Sequence, residues 1–261
     1  MDSIQLSLRY IAIKTKQLEK MLTFYTEKVG LKILNFENEV VFLGNDEDKT
    51  PLLMLVDEKW EENNAHHLNH FAFRFLTEKA LSSLYHHLKA QNIEMGPLVK
   101  KGQITHFFIK DPDNNEIELY HCHPGSLKET LDTKEMEIEP EETTASHLHH
   151  KHLGHVHLSV NALEDTLSFY RDILHLDLVA HHDAYHLVDS NEEQLMLSID
   201  ENKVNPSSSI DFIAFQVPTM EELLLLKQRL EAFDYDFYFN RGKKIIQLWD
   251  ANRISYWIQA V

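Results

Sequence analysis

LRYIAIKTKQLEKMLTFYTEKVGLKIL, from Leu8 to Leu34, and LGHVHLSVNALEDTLSFYRDILHLDLV, from Leu153 to Val179, align without a gap. Tyr10 falls on His155, Leu18 on Leu163, Phe24-Tyr25 on Phe169-Tyr170 and Leu31 on Leu176. A repeat of this length marks a duplicated supersecondary unit that needs a neighbour to bury its apolar face. Each copy opens with alternating apolar residues, the period of a half-buried strand. Leu18, Leu22 and Tyr25, or Leu163, Leu167 and Tyr170, then recur at helical spacing. Asn161 is placed to cap the second of these helices and Thr15 the first. Three strand-like runs follow in each copy: LKILNF, EVVFLG and PLLMLVD, then LDLVAHH, AYHLVD and EQLMLSID.

The same order of strand, helix and three strands recurs from Leu68, in LNHFAFRFLTEKALSSLYHHLKAQNIEM, and from Ile210, in IDFIAFQVPTMEELLLLKQRLEAFDYDF. His70-Phe71-Ala72-Phe73 falls on Phe212-Ile213-Ala214-Phe215, and the strand-rich tails are THFFIKDPDNNEIELY and KKIIQLWDANRISYWI. The chain therefore reads as four βαβββ modules, expected to pair one with two and three with four. The stretch from His123 to His150 is rich in acidic and small polar residues, without an apolar period, and reads as a connection. The segmentation that follows is 1–124, a linker over 125–150, and 151–261. The fold class expected is α+β: two domains, each a curved mixed sheet enclosing a cavity with helices outside.

The composition excludes several classes. A formal charge of −17, from 42 acidic and 25 basic side chains, repels phosphate backbones and anionic lipid surfaces, so neither nucleic acid nor membrane is an expected partner. No long apolar run or signal peptide is visible, and Cys122 is the single cysteine, so the expected location is the cytoplasm, where thiols stay reduced. Exposed edges of such sheets leave a homo-oligomer open. The 18 histidines are many for this length. The HLHHKH stretch from His147 to His152 reads as a solvated linker, and His66-His67, His86-His87 and His181-His182 as loop, helix and strand-end residues.

The FY pair before a Gly-Leu turn, and above all Asp111-Pro112-Asp113-Asn114-Asn115-Glu116-Ile117-Glu118, resemble the vicinal oxygen chelate superfamily of glyoxalases, bleomycin-resistance proteins and extradiol dioxygenases. Asn114 stands where that family's DPDGN turn has glycine. The four-module layout looks most like the ring-cleaving dioxygenase branch. The resemblance implies metal ligands on the first strands of modules and on a last strand. It points to His70 and Glu118 in module two, with His155 of module three a secondary candidate, and to Fe(II), Mn(II) or Zn(II) as the cofactor. Two imidazoles and a carboxylate with open positions suit such ions.

Module one offers Tyr10 where a third histidine ligand is expected, and module four has Phe212 and Ser255 where ligands would stand. With one-two and three-four pairing, the set is split: His70 and Glu118 in one domain, His155 in the other. Tyr10 and His106 are the catalytic candidates, with Phe108 where a tyrosine is expected and Lys101 near an expected histidine. Phe71, Phe73, Phe107, Phe108 and Tyr120 suggest a flat small-molecule ligand. Two functions remain open: a metal-dependent enzyme acting on a catechol-like vicinal-oxygen substrate in the first domain, and a degenerate, metal-free small-molecule binding protein.

Overall fold

The computed structural model describes residues 4–58, 68–122, 136–139, 150–174, 176, 178–181, 184–188, 195–201 and 210–261. Module one comprises β1 (Ser7–Thr15), α1 (Leu18–Thr23), β2 (Lys32–Glu37), β3 (Val40–Gly44) and β4 (Pro51–Asp57). Module two comprises β5 (Leu68–Phe75), α2 (Glu78–Ala90), β6 (Val99–Lys101), β7 (Ile104–Lys110) and β8 (Glu116–Cys122). A short β9 (Met136–Glu137) pairs with β6 inside the stretch expected to be a plain linker. Module three comprises β10 (Lys151–Ser159), α3 (Leu163–Ser168), β11 (Leu178–His181), β12 (Ala184–Val188) and β13 (Leu195–Asp200). Module four comprises β14 (Ile210–Val217), α4 (Met220–Ala232), β15 (Phe237–Asn240), β16 (Ile245–Trp249) and β17 (Ser255–Ala260). His66, His67, His147, His149 and His182, with most of the 125–150 linker, lie outside the described residues.

The long helices start where their sequences provide a cap. Thr77 Oγ1 accepts from Ala80 N at 3.1 Å, and Thr219 Oγ1 from Glu222 N at 3.2 Å, each filling an otherwise orphaned amide at the first turn. The short helices are held differently from the expectation. Thr15 Oγ1 accepts only from Gln17 N, and Asn161 does not cap α3; Asn252 of module four accepts from the Asn161 and Ala162 amides instead. A side chain brought in by tertiary packing replaces the local cap. Both short helices run into a single π-helical turn, Phe24–Lys28 and Phe169–Ile173, which carries the FY pair and buries Tyr25 and Tyr170 completely.

Pairing of the modules is where sequence and structure part. β1 runs antiparallel to β14 and β5 antiparallel to β10, so module one joins four and module two joins three. The eight-stranded sheet has the order β15-β16-β17-β14-β1-β4-β3-β2, and the nine-stranded sheet β11-β12-β13-β10-β5-β8-β7-β6-β9. Both are open. All four modules present the same kind of first strand, so apolar periodicity fits either pairing. What links modules one and two is instead the back of the sheets: Tyr25 Oη donates to Asp111 Oδ2 at 2.8 Å, while Gln17 Nε2 donates to Pro112 O at 2.7 Å and Asp113 Oδ1 at 2.6 Å. Asn45, just past β3, pins the start of β10, accepting from Lys151 N at 3.2 Å and donating to Lys151 O at 2.8 Å.

The helix-packed faces of both sheets merge into one buried apolar cluster, to which Phe71, Phe73 and Phe107 belong with Leu81, Leu84 and Leu88 of α2. These three phenylalanines therefore build the core and do not line a ligand face. No helix among the described residues is long and apolar enough to cross a membrane.

The DPDNN turn is tied down by one carboxylate. Asp111 Oδ1 accepts from the Asp113 and Asn115 amides at 3.0 and 2.8 Å, and Oδ2 from Asn115 Nδ2 and Tyr25 Oη, both at 2.8 Å. Asn114 has φ 65°, a left-handed conformation that asparagine tolerates better than most residues, which accounts for its standing in for glycine. Burial pushes the Asp111 carboxyl up from 3.8 to about 6, against the pull of its hydrogen bonds from Asn115 and Tyr25. The folded chain thus holds this proton more tightly than the unfolded chain. Its contribution to stability is greatest below pH 3.8 and is lost as pH rises through about 6. Lowering the pH from 7 to 5 is expected to stabilise the wild type by about 1 kcal/mol relative to Asp111→Asn, measured as urea-unfolding midpoints of both proteins at each pH.

Candidate metal centre

Because successive strand side chains alternate between faces, the core-facing Phe71, Phe73, Ile117 and Leu119 turn their even-numbered neighbours to the other side. In the nine-stranded sheet that open face carries His70, Ala72 and Arg74 from β5, Glu118 and Tyr120 from β8, and His106 and Phe108 from β7. Register places Ala72 opposite Glu118 and His70 opposite His157 of β10.

β10 contributes through a bulge. Leu153 pairs with Phe73 and Val156 with Phe71, so Gly154 and His155 together face Ala72. An extra residue of this kind re-aims a side chain locally. His155 is thereby turned toward β8: its Nε2 lies 3.2 Å from Glu118 Oε2 and 3.2 Å from His70 Nε2, while His70 Nε2 is 3.8 Å from Glu118 Oε2. His70, Glu118 and His155 form the one group of three potential ligands found among the described residues, with their donor atoms within 4.8 Å of one another. Ligand atoms about 2.1 Å from a common ion stand roughly 3.0 to 3.4 Å apart, so the donor set fits a divalent cation. Two imidazole nitrogens and one carboxylate oxygen are the donors that non-haem Fe(II) sites use, with positions left open.

The three donors are oriented from outside. His70 Nδ1 is 3.0 Å from Asn69 Oδ1, whose acceptance of the ring N–H leaves Nε2 with its lone pair toward the cluster. Glu118 Oε1 is held by His106 Nδ1 at 2.7 Å, leaving Oε2 for the centre. Phe108 stands edge-on to His70 and to His106, with centroids 5.5 and 5.6 Å apart. His157, its ring 4.9 Å from that of His70, has its Nε2 2.9 Å from Asp200 Oδ2.

Electrostatics agree with this arrangement. Burial alone raises the Glu118 carboxyl, yet the hydrogen bonds of His106 and His155 and the charges of His155 and His70 outweigh it and hold Glu118 well below the usual carboxylate range. Burial, reinforced by His155 and opposed by Glu118, pushes His70 down to about 3, so its ring is neutral and able to donate a lone pair at neutral pH. Burial also lowers His157, against the pull of Asp200. A cleft of about 670 Å³ lies beside the DPDNN turn, between Phe24, Ile93, Met95 and Asp111; it touches Phe108 and Glu116, and none of His70, Glu118 and His155 lines it.

The expected catalytic pair is divided. His106 stands in the site as the partner of Glu118. Tyr10 lies in the other sheet, buried edge-on against Phe42 and Phe212 at 5.5 and 5.9 Å. There it occupies the place that His155 has in the nine-stranded sheet, and the remaining places are filled likewise. Phe212 corresponds to His70. Ala214 opposite Trp257 repeats Ala72 opposite Glu118, so Trp257, not Ser255, corresponds to Glu118. Ser255 matches Glu116 instead, because the tail of module four is aligned from Asp250 against Asp111. Phe212 and Trp257 stack at 4.2 Å and 9°. The eight-stranded sheet thus fills with apolar packing the three positions that carry the candidate ligands in its counterpart. The split of the ligand set inferred from the sequence is removed by the two-three pairing. The sequence does not single out His157, Asp200 or Arg74 as site residues, although alternation puts His157 on the face of His155 and Arg74 on that of His70.

Gly154 is what lets the bulge close. A Cβ there would sit 2.4 Å from Tyr120 Oη and 2.5 Å from Tyr120 Cε1. Gly154→Ala is therefore expected to displace His155 and weaken metal binding by about tenfold or more. The additional change Tyr120→Ala should restore part of it, as read by metal titration of both variants.

The sequence profile of the Glyoxalase/Bleomycin resistance protein/Dioxygenase superfamily matches residues 7–119 and 152–244. Catechol-2,3-dioxygenase of Bacillus subtilis (strain 168) is 25% identical over 263 residues, spanning 87% of this chain and 88% of that one. Among solved structures, a dioxygenase candidate from Bacillus subtilis superposes with a TM-score of 0.76 at 12% identity, over 99% of this chain and 86% of the other. Glyoxalase I from Zea mays superposes with a TM-score of 0.63 at 17% identity, over 98% and 92%. With the profile matching most of the chain and both halves of the repeat, this protein belongs to the Glyoxalase/Bleomycin resistance protein/Dioxygenase superfamily, the vicinal oxygen chelate group.

Proposed function

We propose that this chain is a metal-dependent enzyme of the dioxygenase type, acting on a small catechol-like substrate at the open face of the nine-stranded sheet. The observation that carries the reading is the convergence of His70 Nε2, His155 Nε2 and Glu118 Oε2, at 3.2 to 3.8 Å from one another. Fe(II) or Mn(II) matches this mixed nitrogen and oxygen donor set better than a thiolate-seeking ion does. When bound, such an ion supplies Lewis acidity and open positions for two neighbouring oxygens of one substrate.

The remaining work falls to the chain. Phe108 offers an aromatic edge beside His70, suited to a flat ring. His157, fixed by Asp200, gives a hydrogen-bonding group next to the same histidine. His106 keeps the Glu118 carboxylate from rotating, so that one oxygen stays directed at the substrate side. The relationship to a catechol-2,3-dioxygenase over most of both chains supports this substrate class. The metal-free alternative rested on Tyr10, Phe212 and Ser255, and all three belong to the other sheet, where they have no bearing on the cluster.

The test is metal content after purification without a histidine-affinity step and anaerobic incubation with Fe(II), Mn(II) or Zn(II). One ion per chain is expected for the wild type and for Tyr10→Phe. His70→Ala, Glu118→Ala and His155→Ala should each lose it, while His106→Ala should bind about 10- to 100-fold more weakly. An empty wild type, or loss in Tyr10→Phe but not in His155→Ala, contradicts the reading.

A further inference from the structure

Arg74 lies on β5 two residues beyond Ala72, on the face that carries the metal-ligand cluster, level with Tyr120 of β8 and His152 of β10. Among the described residues its guanidinium makes a single long hydrogen bond, from Nη2 to Cys122 O at 3.4 Å. No carboxylate pairs with it among the described residues, although the chain has 42 acidic residues against 25 basic ones. A guanidinium has five donors, and leaving most of them unmet in a half-buried site is costly unless something else accepts them. The matching position in the eight-stranded sheet is Gln216, opposite Ser7 as Arg74 is opposite His152, and the guanidinium nearest it, that of Arg9, is committed to Gln259 and to the face of the Tyr10 ring.

Two strand residues, about 7 Å, separate the row of Glu118 from the row of Arg74, and the guanidinium, turned to Cys122 O, extends beyond that row, so a ring that bridges the two draws the side chain back from the Cys122 carbonyl. Tyr120 walls this path, its ring 5.6 Å from that of His155. The overall negative charge of the protein opposes an anion, but surface charges are screened beyond about 8 Å at physiological salt, so the adjacent guanidinium dominates. Planar two-point acceptance from an arginine favours a carboxylate or a similar oxyanion.

We propose that Arg74 is an anion subsite, holding a carboxylate on the same small molecule whose vicinal oxygens face His70, Glu118 and His155; the substrate is then a negatively charged diol. This inference rests on the diol reading given above. Calorimetric titration of the full-length, Mn(II)-loaded protein under nitrogen, with catechol, 3,4-dihydroxybenzoate and the uncharged 3,4-dihydroxybenzamide, separates the two. The benzoate is expected to bind about tenfold or more tightly than the benzamide. That ratio should fall to near one in Arg74→Gln and be partly kept in Arg74→Lys, with thermal unfolding showing that both variants are folded. Equal affinity for benzoate and benzamide in the wild type, or a preference that survives in Arg74→Gln, overturns the inference and leaves the diol reading standing. Failure of all three compounds to bind the wild type overturns both.

Discussion

The antiparallel pairing of β5 with β10 is the contact on which the site depends. It sets His70 opposite His157 and Phe71 opposite Val156. Through the two-for-one bulge at Gly154 and His155 it also turns a third donor toward Glu118. A slip of one residue in this ladder would move every one of these histidines to the core face and every phenylalanine to the open one. The apolar residues of the helix face, Phe71, Phe73, Leu153 and Val156, all fully or almost fully buried, hold the register. Packing on one side of the strands thus fixes the geometry of polar groups on the other.

The cost of that arrangement is a buried carboxylate among imidazoles. Glu118 is 9% exposed, and an ionised group so placed is costly unless it is paired or binds a cation. His106 takes one oxygen, and His70 and His155 crowd the other. The eight-stranded sheet shows the same backbone without this demand. Tyr10, Phe212 and Trp257 stand at the three corresponding positions, and the result is a stacked aromatic cluster that needs no ion. The two halves of one duplicated scaffold have thus divided into a polar face and a packed one. Shared backbone features persist in both: the π-helical turn at the FY pair, and the left-handed residue of the turn before the last strand, Asn114 in one and Arg253 in the other.

Much of this is legible in the residues themselves. Alternation and helical spacing locate the four modules, the DPDNN motif carries the resemblance to the family, and that resemblance points to His70 and Glu118. The choice of partner module is not legible, because β1, β5, β10 and β14 carry equivalent apolar patterns and any two could pair. His155 was visible, but without the two-three pairing it seemed to belong elsewhere. The match of Trp257 with Glu118 is hidden because module four has DANRI where module two has DPDNN; the two turns have the same length and hydrogen bonds, and the left-handed Arg253 marks the match with Asn114. His106 was visible as well, but its role depends on the β7–β8 hairpin, which brings it across from Tyr120 and within reach of Glu118.

The most direct measurement is an anomalous-scattering map from crystals of the Mn(II)-loaded protein. The account predicts one strong peak bounded by His70 Nε2, His155 Nε2 and Glu118 Oε2, and none near Tyr10 and Phe212. A peak among other histidines, with those three side chains turned away from it, would contradict it.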